Sequence, residues 1–221
     1  MTTLIWLHQS RHRDFKAFYP LQLGRHGPRR GEDTGIAFID SISLVVCHDR
    51  RIHSHKAFKH IARRGKTSMG WFYGFKLHLV VNDRGELLAF QITPGNVEDR
   101  RPADELTQGL TGEPVGDRGY ISQRLFKVLW NRGSQLITKL RKSMHNKLLP
   151  LADKLLLRKR AIIETINDQL KNIVQIEHTR HRSPVNAMVN SLAAWVAYTH
   201  QPRKPSLNLS KNQLKLLTCE E

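Results

Sequence analysis

Three acidic residues stand where the pattern of the chain gives them chemical meaning. Asp40 interrupts the segment "IAFIDSISLVV", whose alternate positions Ile36, Phe38, Asp40, Ile42, Leu44 and Val46 would share one face of a strand. An acid in so apolar a row is costly unless something neutralises it. Asp117 ends the short strand-like segment "EPVGD" and runs into Gly119. Glu164 falls on a helix expected over about 151–175. Carboxylates held close together cannot all ionise without cations. Hard oxygen donors of this kind suit Mg²⁺ or Mn²⁺, and a pair of such ions is the usual device for in-line phosphoryl displacement. The expectation is that the three acids converge at one mouth of a sheet, within roughly 4–8 Å of one another.

Glu164 can be checked on its own helix. Leu155, Ile162, Ile163, Ile166, Leu170 and Ile173 read as the core stripe. Arg160, Glu164, Asp168 and Lys171 lie along another face. That row places cations around one acid, as a metal ligand flanked by phosphate-binding groups would be. An ordinary exposed ion-pair ladder has the same spacing.

The elements that must position these residues are legible from periodicity. Order is expected to begin at Gly35, after a poorly ordered, basic segment over 1–34 rich in Arg, His, Gly and Pro. After the first strand comes a polar, His-rich stretch with a short helix near 55–63. Strands over 75–81 and 86–93 flank the turn "NDRG" as a hairpin. A helix over 98–110, a strand over 113–117, a helix over 121–133 closed by Gly133 and a strand over 134–140 follow. Beyond the long helix, Ser183 and Pro184 open a last apolar helix to about His200. The catalytic domain spans 35–205 in this reading, with a tail over 206–221. Three antiparallel strands followed by strands alternating with helices make a mixed α/β sheet with flanking helices. This is the element order of the ribonuclease-H-like fold.

Charge narrows the partners. The 221 residues carry 36 Lys+Arg against 19 Asp+Glu, a formal net charge of +17. Such a chain attracts polyanions, nucleic acid first among them. The excess is concentrated: residues 48–66 hold Arg50, Arg51, Lys56, Lys59, Arg63, Arg64 and Lys66 against Asp49 alone. A second basic stretch runs over 139–182. Both suit a surface that tracks phosphates. Lys76, His78, Lys139 and Arg141 are further candidates for phosphate contact, with ordinary edge or surface positions as the alternative. Cys47 and Cys219 imply no disulfide framework and fit a reducing cytoplasm. Cys47, His48, His53, His55 and His60 invite a zinc reading, but their spacing does not match the usual paired ligands.

The stretch "FIDSISLVVCHDRRIHSHKAFKHIARRGKTSMGWFYGFKLHLVVNDRGELLAFQITPGNVEDRRP" resembles a group of bacterial insertion-sequence transposases of the Asp-Asp-Glu type. "GDRGYIS", "RAIIETINDQLKN" and "QIEHTRHRSPVNAMVNSLAAWVAYTHQPRKPSLNL" resemble the same group, so the likeness covers roughly 35–209. It implies a ribonuclease-H-like catalytic core with Asp40, Asp117 and Glu164 as the triad, two Mg²⁺ or Mn²⁺ ions, and DNA as partner, in the form of element ends and target. It also implies that Arg160 and Lys171 help hold DNA. The Tyr often found three residues before that Arg is Leu157 here. Handling two element ends implies a dimer on DNA. Residues 1–33 do not resemble the longer N-terminal region of the group, which points to a shortened gene copy. The competing expectations are a catalytically silent DNA-binding remnant that inhibits transposition, and a resolvase or ribonuclease H on the same fold. The block "GKTSMGWFYGFKLHL" points away from the last two.

Overall fold

A computed structural model describes residues 31–139, 149–177 and 182–207. Six strands form one sheet: β1 (Ile36–Cys47), β2 (Arg63–Thr67), β3 (Gly70–Asn82), β4 (Leu87–Pro94), β5 (Glu113–Gly116) and β6 (Ile137–Thr138). Its order is β2-β3-β1-β5-β6, with β4 also paired to β3. Strand β3 runs antiparallel to β1, and β4 antiparallel to β3. Strands β5 and β6 run parallel to β1 and to each other. This is the mixed sheet of the ribonuclease-H-like fold: an antiparallel trio extended by parallel strands.

Among the described residues five α-helices flank the sheet: α1 (Arg100–Leu106), α2 (Gln123–Asn131), α3 (Leu151–Lys159), α4 (Ala161–Asp168) and α5 (Pro184–Thr199). Side chains alternate along a strand, so β1 feeds two cores. Phe38 and Leu44 pack with Leu77, Leu79, Val115 and the buried faces of α3, α4 and α5. Ala37 and Ile39 pack on the other face with Val80, Leu88 and residues of α1 and α2. A bulge between Val45 and Cys47 breaks the alternation, and Val46 joins a third cluster with Phe58, Ala62 and Tyr73.

Several features depart from the sequence expectations. The stretch 55–63 holds turns rather than a helix, and it leads into β2. Strand β2 reads "RRGKT": an edge strand keeping four of its five side chains out of the core shows no apolar alternation. The long helix is interrupted at Arg160, where Ile163 N–H bonds back to the Arg160 carbonyl. It ends in a wider π-turn over Gln169–Ile173. The interruption changes the phase of the stripe, so Leu156 and Leu157 are buried while Leu155 is not fully so. The π-turn leaves Ile173 exposed.

Residues 31–34, assigned to the N-terminal segment by their composition, are tied to the end of the β3–β4 hairpin. Gly31 N–H bonds to Leu87 O, Asn82 Nδ2 donates to Glu32 O and Thr34 Oγ1 donates to Asp83. At the same end, Leu207 N–H reaches Asp83 O, and the buried Tyr198 hydroxyl donates to Gly85 O.

Candidate active site

The position of Asp40 follows from strand alternation. It shares a face with Phe38 and Leu79 and so points toward α4. Its register partner on β3 is Leu79. The parallel pairing of β5 with β1 sets Phe38 beside Val115. Two residues further along both strands come Asp40 and Asp117, on the same face of the sheet. Gly116, between them and the far core, is tightly enclosed: a Cβ there would stand 3.0 Å from Ile39 Cγ2.

Helix α4 completes the group. Arg160, just before its first turn, donates from Nη2 to Asp40 Oδ1 at 3.2 Å and from Nη1 to Glu164 Oε1 at 3.4 Å. Asn167 Nδ2 donates to Asp40 Oδ2 at 3.0 Å. Both carboxylate oxygens of Asp40 are therefore engaged. The Asp40 side chain is 16 % exposed and that of Glu164 63 %, so the pair runs from the sheet surface out to solvent. Asp117 is exposed and caps the turn Arg118–Tyr120, accepting from Gly119 N–H at 3.4 Å.

Burial pushes the Asp40 carboxyl up to about 6. The Arg160 guanidinium opposes that rise without cancelling it, while the charges of Asp117 and Glu164 add to it. All three acids thus act on one locality. They are not, however, drawn into a closed cluster. Among the described residues no three His, Cys, Asp or Glu side chains are gathered so that they could hold a metal ion. Like charges repel, and here Arg160 bridges two of the three. The same holds for the His-rich stretch from Cys47 to His60, where no zinc cluster forms among the described residues.

The donor chemistry fits a divalent cation. Three carboxylates against one guanidinium leave a surplus of about two negative charges. All three offer hard oxygens.

The other predicted residues fall as follows. Lys171, in the π-turn, pairs with Glu177 Oε2 at 3.0 Å. Glu177 in turn accepts from Val45 N–H at 2.7 Å, which fastens the end of the helix to β1. Leu157 is a core residue. Lys139 is exposed and directly follows β6; one step beyond the Gly116–Thr138 pair, it stands beside Asp117 in the register. Arg141 lies outside the described residues.

Lys76 and His78 depart from the phosphate reading. Both project from the face of β3 opposite Leu77 and Leu79, away from Asp40. Lys76 is 9 % exposed and its Nζ is committed to Asp99 Oδ1 at 2.9 Å. His78 is fully buried, its Nε2 2.8 Å from Thr93 Oγ1, and burial lowers its pKa to about 4. A buried ammonium needs a counter-charge, and Asp99 supplies one.

Asn167 is the site residue that sequence reasoning missed. It is buried, and its Oδ1 has no hydrogen-bond partner. The available signal was its spacing: Arg160, Glu164 and Asn167 follow at i, i+4 and i+7.

A family model described as a transposase DDE domain matches residues 30–184. Among solved structures, the chain is similar to a piggyBac transposase synaptic complex with hairpin DNA, at 14 % identity and a TM-score of 0.38, covering 61 % of this chain and 32 % of that one. It is also similar to a simian T-cell lymphotropic virus intasome in complex with a PP2A regulatory subunit, at 15 % identity and a TM-score of 0.41, covering 83 % and 62 %. The chain thus spans about a third of the first protein's length and somewhat under two thirds of the second's. No curated protein sequence matches. Among the described residues no helix is long and apolar enough to cross a membrane.

Proposed function

The chain belongs to the transposase DDE domain family, and from that premise we propose that it cuts and joins DNA strands at the ends of an insertion sequence, with Asp40, Asp117 and Glu164 as its catalytic carboxylates. The observation that carries this reading is the position of Asp40. It is a largely buried acid pointing off a sheet face, raised to about 6, with both other acids acting on it. Its cation, Arg160, is shared with Glu164, so three carboxylates stand around one guanidinium.

Asp40, Asp117 and Glu164 would hold Mg²⁺ or Mn²⁺, two ions by expectation. Cations held there would supply charge neutralisation on a phosphodiester and would favour the deprotonated form of an attacking hydroxyl. The chain's own groups do the rest. Asn167 and Arg160 fix the two oxygens of the Asp40 carboxylate. The apolar face around Phe38, Leu79 and Ile163 keeps water from beneath it. Arg160, Lys171 and Lys139 are the proposed phosphate contacts, Arg160 and Lys171 exchanging their present carboxylate partners for phosphate oxygens. In the first reaction water attacks a phosphodiester at the element's end and a 3′-hydroxyl leaves. In the second that 3′-hydroxyl attacks target DNA and displaces a target 3′-oxygen. No protein nucleophile is needed.

The test is cleavage of end-containing DNA in different metals. Mg²⁺ or Mn²⁺ should support strand cleavage, and Ca²⁺ should support binding with little cleavage, because it accepts irregular coordination and holds in-line geometry poorly. Cleavage that persists in excess chelator would contradict the proposal.

A further inference from the structure

The β2–β3 hairpin carries apolar groups that are exposed among the described residues and belong to none of the three core clusters there. Its loop is two residues, Ser68 and Met69, between the paired Thr67 and Gly70. Gly70 has φ +130°, a conformation that L side chains rarely adopt, so the turn depends on it. Met69 is 96 % exposed and Trp71 64 %. Neither belongs to a core cluster, although Tyr73, two residues on, does. Lys66 is the register partner of Trp71, and its Nζ lies 5.7 Å from the ring centroid. Arg64 shares that face of the ribbon. From Arg63 to Asn82 there is no acidic residue.

The ribbon also points the right way. Strand β3 is antiparallel to β1, so its first residues lie beyond the C-terminal end of β1. Asp117 follows the C-terminal end of β5, which is parallel to β1. The hairpin tip and the carboxylates therefore open on the same rim of the sheet. Trp71 is eight residues along β3 from Leu79, the register partner of Asp40. At about 3.3 Å per strand residue this is roughly 26 Å, the length of about eight base pairs of duplex.

We propose that the tip of the β2–β3 ribbon grips duplex DNA, Trp71 and Met69 pressing into a groove about eight base pairs from the bond that is cut while Lys66 and Arg64 neutralise adjacent phosphates. Charge complementarity selects this occupant. The ribbon is basic and so is the whole chain, at +17, which disfavours a second copy of the same surface. The inference rests on the DNA-acting reading above and adds a specific surface to it.

The experiment titrates a fluorescein-labelled duplex against the full chain and against Trp71→Ala, Trp71→Phe, Met69→Ala and Lys66→Ala, at fixed salt with Ca²⁺ present. Circular dichroism and the thermal midpoint check folding, which Trp71 is not needed for. Trp71→Ala should weaken binding on the order of 10-fold, the scale of one lost aromatic–base contact, and Trp71→Phe should weaken it less. Lys66→Ala should make the log–log salt slope shallower by about 0.9. DNA should quench a component of the wild-type tryptophan emission that Trp71→Phe lacks. Wild-type affinity in Trp71→Ala overturns the proposal, as does a Trp71→Ala effect confined to self-association without DNA. If the wild-type chain binds no duplex, the failure belongs to the DNA-acting reading itself.

Discussion

Arg160 and Asp40 are 120 residues apart in sequence and joined at 3.2 Å, and the same guanidinium reaches Glu164 at 3.4 Å. One planar cation thus spans two of the three acids from the point where the long helix is interrupted. A guanidinium does so from two separate nitrogens held in one plane, whereas an ammonium reaches from a single nitrogen.

Arg160→Ala should therefore destabilise the chain in chelator, by about 1–3 kcal/mol, because it leaves the largely buried Asp40 without its cation. Arg160→Lys should recover only part of the loss. Adding Mn²⁺ should stabilise Arg160→Ala more than wild type, since a metal would then supply the missing positive charge. Thermal unfolding with and without Mn²⁺ measures both effects. An Arg160→Ala protein as stable as wild type in chelator would mean that the ion pair contributes nothing.

A pH dependence follows from Asp40. Its folded-state pKa is raised from the ordinary 3.8 to about 6 by burial. Between those values the folded chain binds more protons than the unfolded chain. The stability tied to this group is complete below about 4 and is lost as pH rises to about 6. Above about 6 the charged carboxylate costs on the order of 3 kcal/mol. In chelator, Asp40→Asn should thus gain stability relative to wild type across that window and keep the gain at neutral pH. Denaturant unfolding at a series of pH values checks the sign. Parallel curves for the two proteins would show that Asp40 is not desolvated.

Asn167→Leu removes the donor to Asp40 Oδ2 while roughly keeping volume. It should reduce kcat for strand cleavage with little change in duplex affinity, because Asn167 positions a carboxylate and faces no phosphate. Asn167→Ser, which retains a donor, should recover part of the rate. An equal loss of affinity and rate would instead indicate general damage to α4.

Much of this architecture is legible in the sequence because local pattern and tertiary role agree. Strand β1 announces itself by alternation, the β3–β4 hairpin by its turn residues and α5 by Ser183 and Pro184 at its start, where the Ser183 hydroxyl does cap Val185 N–H. Asp40 stands out as an acid in an apolar row. What escapes is long-range or non-repeating. Strand β2 gains its identity only by pairing with β3. The interruption at Arg160 contains no Pro or Gly to mark it, and it coincides with the ion pair to Asp40. Lys76 looks like a surface cation until Asp99, from a later loop, arrives to bury it. Asn167 reads as one more polar helix residue until β1 is placed opposite.

Lys171 offers a test of phosphate contact away from the carboxylates. It is held by Glu177, which is itself fastened to β1. Lys171→Ala should make the salt slope of duplex binding shallower by about one if it meets a single phosphate. Glu177→Gln, which frees the ammonium, should tighten binding. Salt titrations of the three proteins decide it, and an unchanged slope in Lys171→Ala would remove Lys171 from the DNA surface.

The most direct measurement of the central claim is strand cleavage of element-end DNA in Mg²⁺ by wild type and by Asp40→Asn, with duplex affinity measured on the same preparations. Wild type should nick, Asp40→Asn should not, and Asp40→Asn should bind DNA as well as wild type or slightly better, having lost a negative charge near phosphates. Cleavage by Asp40→Asn at the wild-type rate would remove Asp40 from the catalytic centre.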